Sequence, residues 1–325
     1  MPRERLIKSG LFTGSKPESF RTEGQVRLDL INRGELPTLT RGEPVKVPQP
    51  LTRRLIQVQE RADQLKKTEP AAPNHVTVTL PRTSVIAFIG DQHIGHKNTD
   101  HRRVLAEVEA IKASPDTYAV MLGDSVDGIF WGGESGGEQV ANMDEQRQIR
   151  QQMFRELKGR VIVGFGGEHD SKWGGKTGAD PMGDFTELTD APYIQGTGEV
   201  EINVGEQRYN LLAGHKLRGS SIYNNNHPQF RADREVAGAD IIASGHTHRK
   251  AVTQQPARRF GHAQLVTHVS VGTYKTQDRY SQREGYPEAK EEQMGGIALR
   301  LHADHKEVEV DTSIVGGIRK WLGLK

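Results

Sequence analysis

Residues 161–170 read VIVGFGGEHD. A β-branched run, Val161 to Val163, ends in Gly166 and Gly167, and Glu168, His169 and Asp170 follow at once. The run is strand-like in composition and is bounded by glycine. A buried strand that ends in three ionisable side chains marks a site at the carboxyl edge of a sheet, where open α/β folds place their ligands.

The same pattern recurs along the chain. SVIAFIGDQHIGH (84–96) ends in Asp91 and His93, and TYAVMLGDSVD (117–127) ends in Asp124 and Asp127. YNLLAGHK (209–216) ends in His215, and DIIASGHTH (240–248) ends in His246 and His248. Helical stretches near 99–113, 142–158 and 228–237 separate these runs, and strands alternating with helices predict an α/β fold. Residues i and i+2 on an extended segment point the same way, so Asp91 with His93, and His246 with His248, can each clasp a common centre. A lone aspartate at a strand end is usually a turn former, and a lone histidine is usually structural. Five clusters in order, each after an apolar run and a glycine, point to metal ligation instead.

Composition narrows the chemistry. The 325-residue chain has no cysteine, which excludes disulfides, thiolate nucleophiles and cysteine-held zinc. No apolar run approaches the ~20 residues that cross a bilayer, and the first twenty residues lack the apolar core of a signal peptide. A soluble cytoplasmic protein, of bacterial or phage-infected-cell type, is the expectation. Net charge is only +2, too small to argue for nucleic acid by itself. Residues 1–81 carry 14 basic and 9 acidic side chains, so the basic surplus lies in an N-terminal arm. That arm, residues 1–75, contains one predicted helix at 51–67 and ends at Pro70 and Pro73. Residues 76–325 are expected to form the second domain. A protein partner for the arm is not identified by its sequence.

The order Asp-x-His, Gly-Asp-x-x-Asp, Gly-Asn-His-Asp (here Gly-Glu-His-Asp), Gly-His, Gly-His-x-His resembles the calcineurin-like metallophosphoesterases, over residues 83–275. The resemblance implies a four-layer α/β/β/α sandwich of two mixed sheets flanked by helices, with metals at one edge. It also implies roles by position. Asp91, His93 and His248 would hold one metal, with Asp124 bridging. His215, His246 and the residue at 168 would complete the second. His169 would be the general acid, oriented by Asp127. Two cations offset the charge of a phosphate ester and lower the pKa of a bridging water, so that a metal-bound hydroxide can attack. Imidazole and carboxylate ligands suit manganese first, with iron or zinc as alternatives.

Position 168 departs from the family pattern, which has asparagine where this chain has Glu168. The change adds a negative charge, and ligation of the second metal by Glu168 is expected over displacement from the site, since an unpaired carboxylate beside four histidines would be costly. Gly128 stands where the protein-phosphatase branch has arginine, so the exonuclease-like phosphodiesterase branch is the nearer resemblance. Trp131 and Trp173 lie in Gly-rich segments read as loops, where aromatics can stack bases, and Lys216 and Arg218 can meet phosphates. The expected activity is phosphodiester hydrolysis, with DNA or RNA as the candidate substrate and no membrane involved. A small-molecule phosphomonoesterase or cyclic-nucleotide phosphodiesterase is the alternative. A metal-binding scaffold that has lost its catalysis is the alternative from another class.

Overall fold

The computed structural model describes residues 49–68, 74–128, 134–177, 183–236, 238–259 and 262–323. The chain divides into two compact units, Met1–Pro70 and Ala71–Lys325. In the first, helix α1 spans Gln49–Thr68 and exposes Leu51, Leu55, Ile56 and Val58.

The second unit opens with strands β1 (His75–Leu80), β2 (Ser84–Ile89), β3 (Thr117–Met121), β4 (Val161–Phe165), β5 (Tyr193–Ile194) and β6 (Gly198–Val204). Strands β7 (Gln207–Gly214), β8 (Ile241–Ser244), β9 (Ala251–Arg259), β10 (His262–Ser270), β11 (Ile297–Leu301) and β12 (Val308–Asp311) follow. They form two six-stranded mixed sheets, ordered β12-β11-β2-β3-β4-β5 and β1-β6-β7-β8-β10-β9. In the first sheet β2 to β5 are parallel and β11 runs against both β2 and β12. In the second, β7, β8 and β10 are parallel, β6 runs against β7 but parallel to β1, and β9 runs against β10.

Burial explains the layering. Every residue of β2 and β4 is buried, as the continuous apolar runs of parallel strands require. Phe88, Val120 and Phe165 of one sheet share a core with Val200, Leu211 and Ile241 of the other. The outer face of the first sheet, through Ala87, Ile89 and Met121, packs with residues of helices α2 (His101–Ala113), α3 (Met143–Glu156) and α8 (Ile314–Leu322). Leu212 and Ile242 of the second sheet pack with Ala232 of α6 (His227–Glu235). The result is the four-layer α/β/β/α sandwich expected from the resemblance.

Local chemistry sets the helix starts. Asn142 and Glu145 form a reciprocal capping box at the N-terminus of α3. Three features differ from the sequence reading. The segment after Gly167, read as a loop, begins as helix α4 (Glu168–Thr177), whose first turn carries Glu168 and Asp170, favourable charges at a helix N-terminus. Strand β9 and helix α8 were not expected. Ser313 caps α8, and Ile314 and Ile318 turn one buried stripe inward. Short helices α5 (Phe185–Thr189) and α7 (Arg279–Arg283) complete the unit. Among the described residues no helix is long and apolar enough to cross a membrane.

The inter-sheet core holds both halves of the site in register. Phe88→Ala, at a fully buried position, is expected to lower the unfolding free energy by about 3–5 kcal/mol. A fall in the urea midpoint at unchanged m-value would record it.

Candidate metal centre

The turns that leave β2, β3 and β8 are built from backbone that L-residues seldom adopt. Asp91 (φ 54°), His93 (47°), Asp124 (51°), His246 (69°) and His248 (55°) are all left-handed. Among the described non-glycine residues only Asp190, at the end of α5, shares this conformation. Each such residue costs on the order of 1–3 kcal/mol and persists only where its surroundings over-determine it. Here the surroundings are main-chain bonds that continue the β2–β3 ladder beyond the strands. Asp91 N donates to Gly123 O at 3.0 Å, His93 N to Asp124 O at 3.1 Å, and Ile94 N to Ser125 O at 3.0 Å. A Cβ on Gly123, itself at φ 85°, would stand 2.6 Å from Gly167 N, so the β3 and β4 turns can meet only through glycine.

These turns bring the predicted ligands together from both sheets. His248 Nε2 lies 3.2 Å from Asp91 Oδ1 and 3.1 Å from His93 Nε2. The ligand atoms of Asp91, His93 and His248 all fall within 4.8 Å of one another. His93 Nδ1 sits 3.1 Å from Asp127 Oδ1, out of line for a hydrogen bond. Burial, and then the charge of Lys275, lowers the His93 imidazole to about 3. A neutral imidazole is the form that ligates a metal.

Asp91, Asp124 and His215 make a second triad within the same 4.8 Å limit. His215 Nδ1 is 2.7 Å from Leu122 O, so the ring proton belongs there. Its Nε2 then faces Asp124 Oδ2 at 3.1 Å, lone pair towards lone pair. Asp91 Oδ1 and His215 Nε2 are both buried with no hydrogen bond. Asp124 Oδ2 and His215 Nε2, buried and 3.1 Å apart, require a proton or a cation between them, and the donor set fits a divalent ion. Burial pulls the His215 imidazolium down, but Asp124 outweighs it and pushes the group up to about 10. Burial opposes ionisation of Asp91 and Asp124, yet their histidine neighbours hold both carboxyls below the usual range. His246 stands beside His215, ring centroids 5.3 Å apart, and its main-chain N donates to Asp91 Oδ2 at 2.8 Å.

Glu168 joins neither triad. Its Oε1 accepts from Lys216 Nζ at 2.6 Å and lies 3.9 Å from His246 Nε2, while Oε2 lies 3.7 Å from Lys172 Nζ. The side chain is 36% exposed, at the rim of the centre.

His169 comes from the first turn of α4. Its main-chain N donates to Asp124 Oδ1 at 2.8 Å, its Nδ1 contacts Asp127 O, and its ring lies 4.7 Å from that of His93. Asp127 therefore meets His169 through its carbonyl, while its carboxylate faces His93, Gln139 (2.5 Å) and Lys275 (2.9 Å). Burial disfavours the Lys275 ammonium, but Asp127 and Asp278 hold its pKa above the ordinary value. Lys275 was missed by the sequence reading, because VGTYKTQD carries no ligand pattern. Asp170 was given no role there either. Its Oδ2 accepts from Asp124 N and Gly167 N, both at 3.1 Å, and ties the β3 and β4 turns together. Burial, helped by the Asp124 charge, raises its carboxyl to about 6.

The outlying predicted residues are more dispersed. Arg218 is exposed on the loop after β7. Trp131 lies outside the described residues, and Trp173 is on α4 with its side chain outside them. A further grouping, His302, Asp304 and His305, is at the surface. Its imidazoles already pair with carboxylates, His302 with Glu309 at 2.7 Å and His305 with both Asp304 and Glu307 at 2.9 Å.

Without a divalent ion a proton must sit between Asp124 and His215. The folded-state pKa of His215 is raised, so the stabilisation is complete below the ordinary 6.5 and is lost as pH rises through about 10. Chelated protein should lose Tm progressively over that window, and protein with Mn²⁺ should keep it. Asp124→Asn should flatten the slope. Thermal melts across pH, with and without chelator, check all three.

Neither a protein-family model nor any curated protein sequence matches the chain. Solved structures with similar folds include Vps29 of Cryptosporidium parvum (15% identity, 71% of this chain and 97% of that one, TM-score 0.36). Others are the nuclease MPE of Pseudomonas putida (15%, 70% and 87%, 0.31) and a metallophosphoesterase of Sphaerobacter thermophilus (14%, 74% and 95%, 0.32). Likeness at these levels carries no weight for function, which rests on the geometry.

Proposed function

We propose that this chain is a metal-dependent phosphodiester hydrolase with a two-ion centre, and that nucleic acid is its substrate class. The observation that carries the reading is the inward convergence of Asp91, His93, Asp124, His215 and His248, with buried acceptor atoms left without hydrogen bonds. A protein that needed these groups only for structure would pair them. Asp91, His93 and His248 would hold one ion, and Asp124, His215 and His246 the other. Bound there, the ions supply the positive charge that lets an anionic ester and a water meet, and manganese is the first to try.

The remaining roles belong to the chain. His169 contacts the Asp127 carbonyl through Nδ1, which fixes that nitrogen as a donor and leaves Nε2 to exchange a proton with the leaving oxygen. The Asp127 carboxylate faces His93 Nδ1 at 3.1 Å, and Lys275 keeps that carboxylate charged and in place. Lys172 and Lys216 stand at the rim with about half of each side chain exposed, where a substrate phosphate can reach them. The loop that leaves His215 displays Tyr223 with 92% of its surface in solvent, a ring free to stack on a base. Together these features favour a nucleic-acid diester over a small monoester.

Hydrolysis of bis-p-nitrophenyl phosphate against p-nitrophenyl phosphate with Mn²⁺ tests the reading. The diester is expected to turn over. Asp124→Asn should abolish the activity, and His169→Asn should lower kcat by about 10²–10⁴-fold while leaving bound metal unchanged. Turnover of the monoester alone would make the chain a phosphomonoesterase. Silence on both esters with metal bound would move it to the metal-binding scaffold class.

A further inference from the structure

Glu168 sits beside the centre and is held by lysines. Lys216 follows His215 directly in sequence, and Lys172 is one helical turn beyond Glu168 on α4. One carboxylate oxygen of Glu168 lies between two calls on it, 2.6 Å from Lys216 Nζ and 3.9 Å from His246 Nε2. Against this side of the centre opens a cleft of about 340 Å³, lined by Ser171, Lys172, Gln195, Thr197, His215 and Lys216 among others. Its wall combines two cations, two hydroxyls and an amide with the main chain of Gly166 and Gly167, and the Glu168 carboxylate, which now holds both cations, is the one anionic group among its described residues. It has room for a phosphate with accompanying water.

We propose that Lys216 is a positioning residue, which holds Glu168 off the second ion position in the free protein and releases it when a substrate phosphate enters this cleft. The proposal rests on the two-ion reading above. The free protein balances one carboxylate against two ammonium groups. An entering phosphate offers those ammonium groups a second anion, and Glu168 can then turn towards His246 and the ion there. Anion and second ion thereby favour each other's binding, and the coupling is reciprocal. Glu168 serves as the placeholder for the substrate anion, which accounts for a carboxylate at a position where the family pattern has a neutral amide.

Mn²⁺ binding to the full chain, followed by calorimetry and by the electron paramagnetic resonance of the bound ions, tests this without recourse to turnover. Wild-type protein should bind two ions unequally. Lys216→Met should tighten the weaker ion by about 5- to 150-fold, the usual range of such couplings, and Lys216→Arg should behave as wild type. In a Glu168→Gln background the same Lys216→Met change should shift it by no more than about twofold. Inorganic phosphate should tighten the weaker ion more in wild type than in Lys216→Met. Equal tightening by Lys216→Met in both backgrounds would mean that Lys216 acts only as a nearby charge, and would overturn the proposal. Two ions bound with Lys216→Met no tighter than wild type would overturn it while leaving the two-ion reading intact. No bound ion in any variant would overturn both.

Discussion

The centre depends on one contact: Asp124 Oδ2 and His215 Nε2, 3.1 Å apart with no proton assigned between them by their other partners. Asp124 leaves β3 in one sheet and His215 leaves β7 in the other. Two acceptors at this distance repel unless a positive charge lies between them, and burial of both removes water as a solution. The contact is therefore a demand for charge at the seam of the sandwich. His248 and Asp91 make the same demand a few ångströms away, again across the two sheets. A structure that needed only cohesion at this seam would have used apolar side chains, as the rest of the inter-sheet core does.

Holding such acceptors together is costly, and the backbone carries part of the cost. Five of the candidate ligands occupy left-handed conformations that a β-strand would never give them. Ordinary turns would use glycine or asparagine there. Instead, glycine is placed one residue ahead, at Gly90, Gly123 and Gly245, where the chain needs close approach, and the ligand takes the strained position. Tyr274 N donates to Asp91 O at 3.1 Å and Gly245 N to His215 O at 3.0 Å, so every strained turn is pinned by a neighbour. Strain of this kind fixes direction, since a side chain on a left-handed residue cannot drift without unfolding its turn.

Much of this was legible in the sequence, and the limit has a physical reason. Strand runs such as SVIAFIG and VIVGF are local, and their ends carry the candidate ligands, so the convergence of Asp91, His93, Asp124, His215, His246 and His248 could be expected from the strand ends. The four layers came from resemblance, because no local pattern reveals that Phe88 faces Leu211. Partners separated by long stretches of chain were invisible. Lys275 meets Asp127 across 148 positions, and Glu168 meets Lys216 across 48. Asp170 follows Glu168 and His169 directly but had no role in the sequence reading, and α4 turns its carboxylate back onto the Gly167 and Asp124 amides. Helical spacing divides three adjacent ionisable residues among three directions, where a strand would have shared them between two.

Charge balance then accounts for the glutamate. Asp91, Asp124 and Asp127 are buried and ionised, while His93 is held neutral. Lys275 is the buried ammonium that faces them. Even before Asp170 is counted, these carboxylates outnumber the ammonium, a deficit that a buried site cannot carry, since unpaired buried ions cost several kcal/mol each. The His215 proton reduces the deficit, and divalent ions would reverse it. A further carboxylate placed inside this set would have deepened it. Glu168 does not, because it stands at the rim with its own two cations, one on the same helix at i+4 and one on the residue after His215. Glu168 therefore acts together with Lys172 and Lys216, and the net contribution of the three beside the centre is positive.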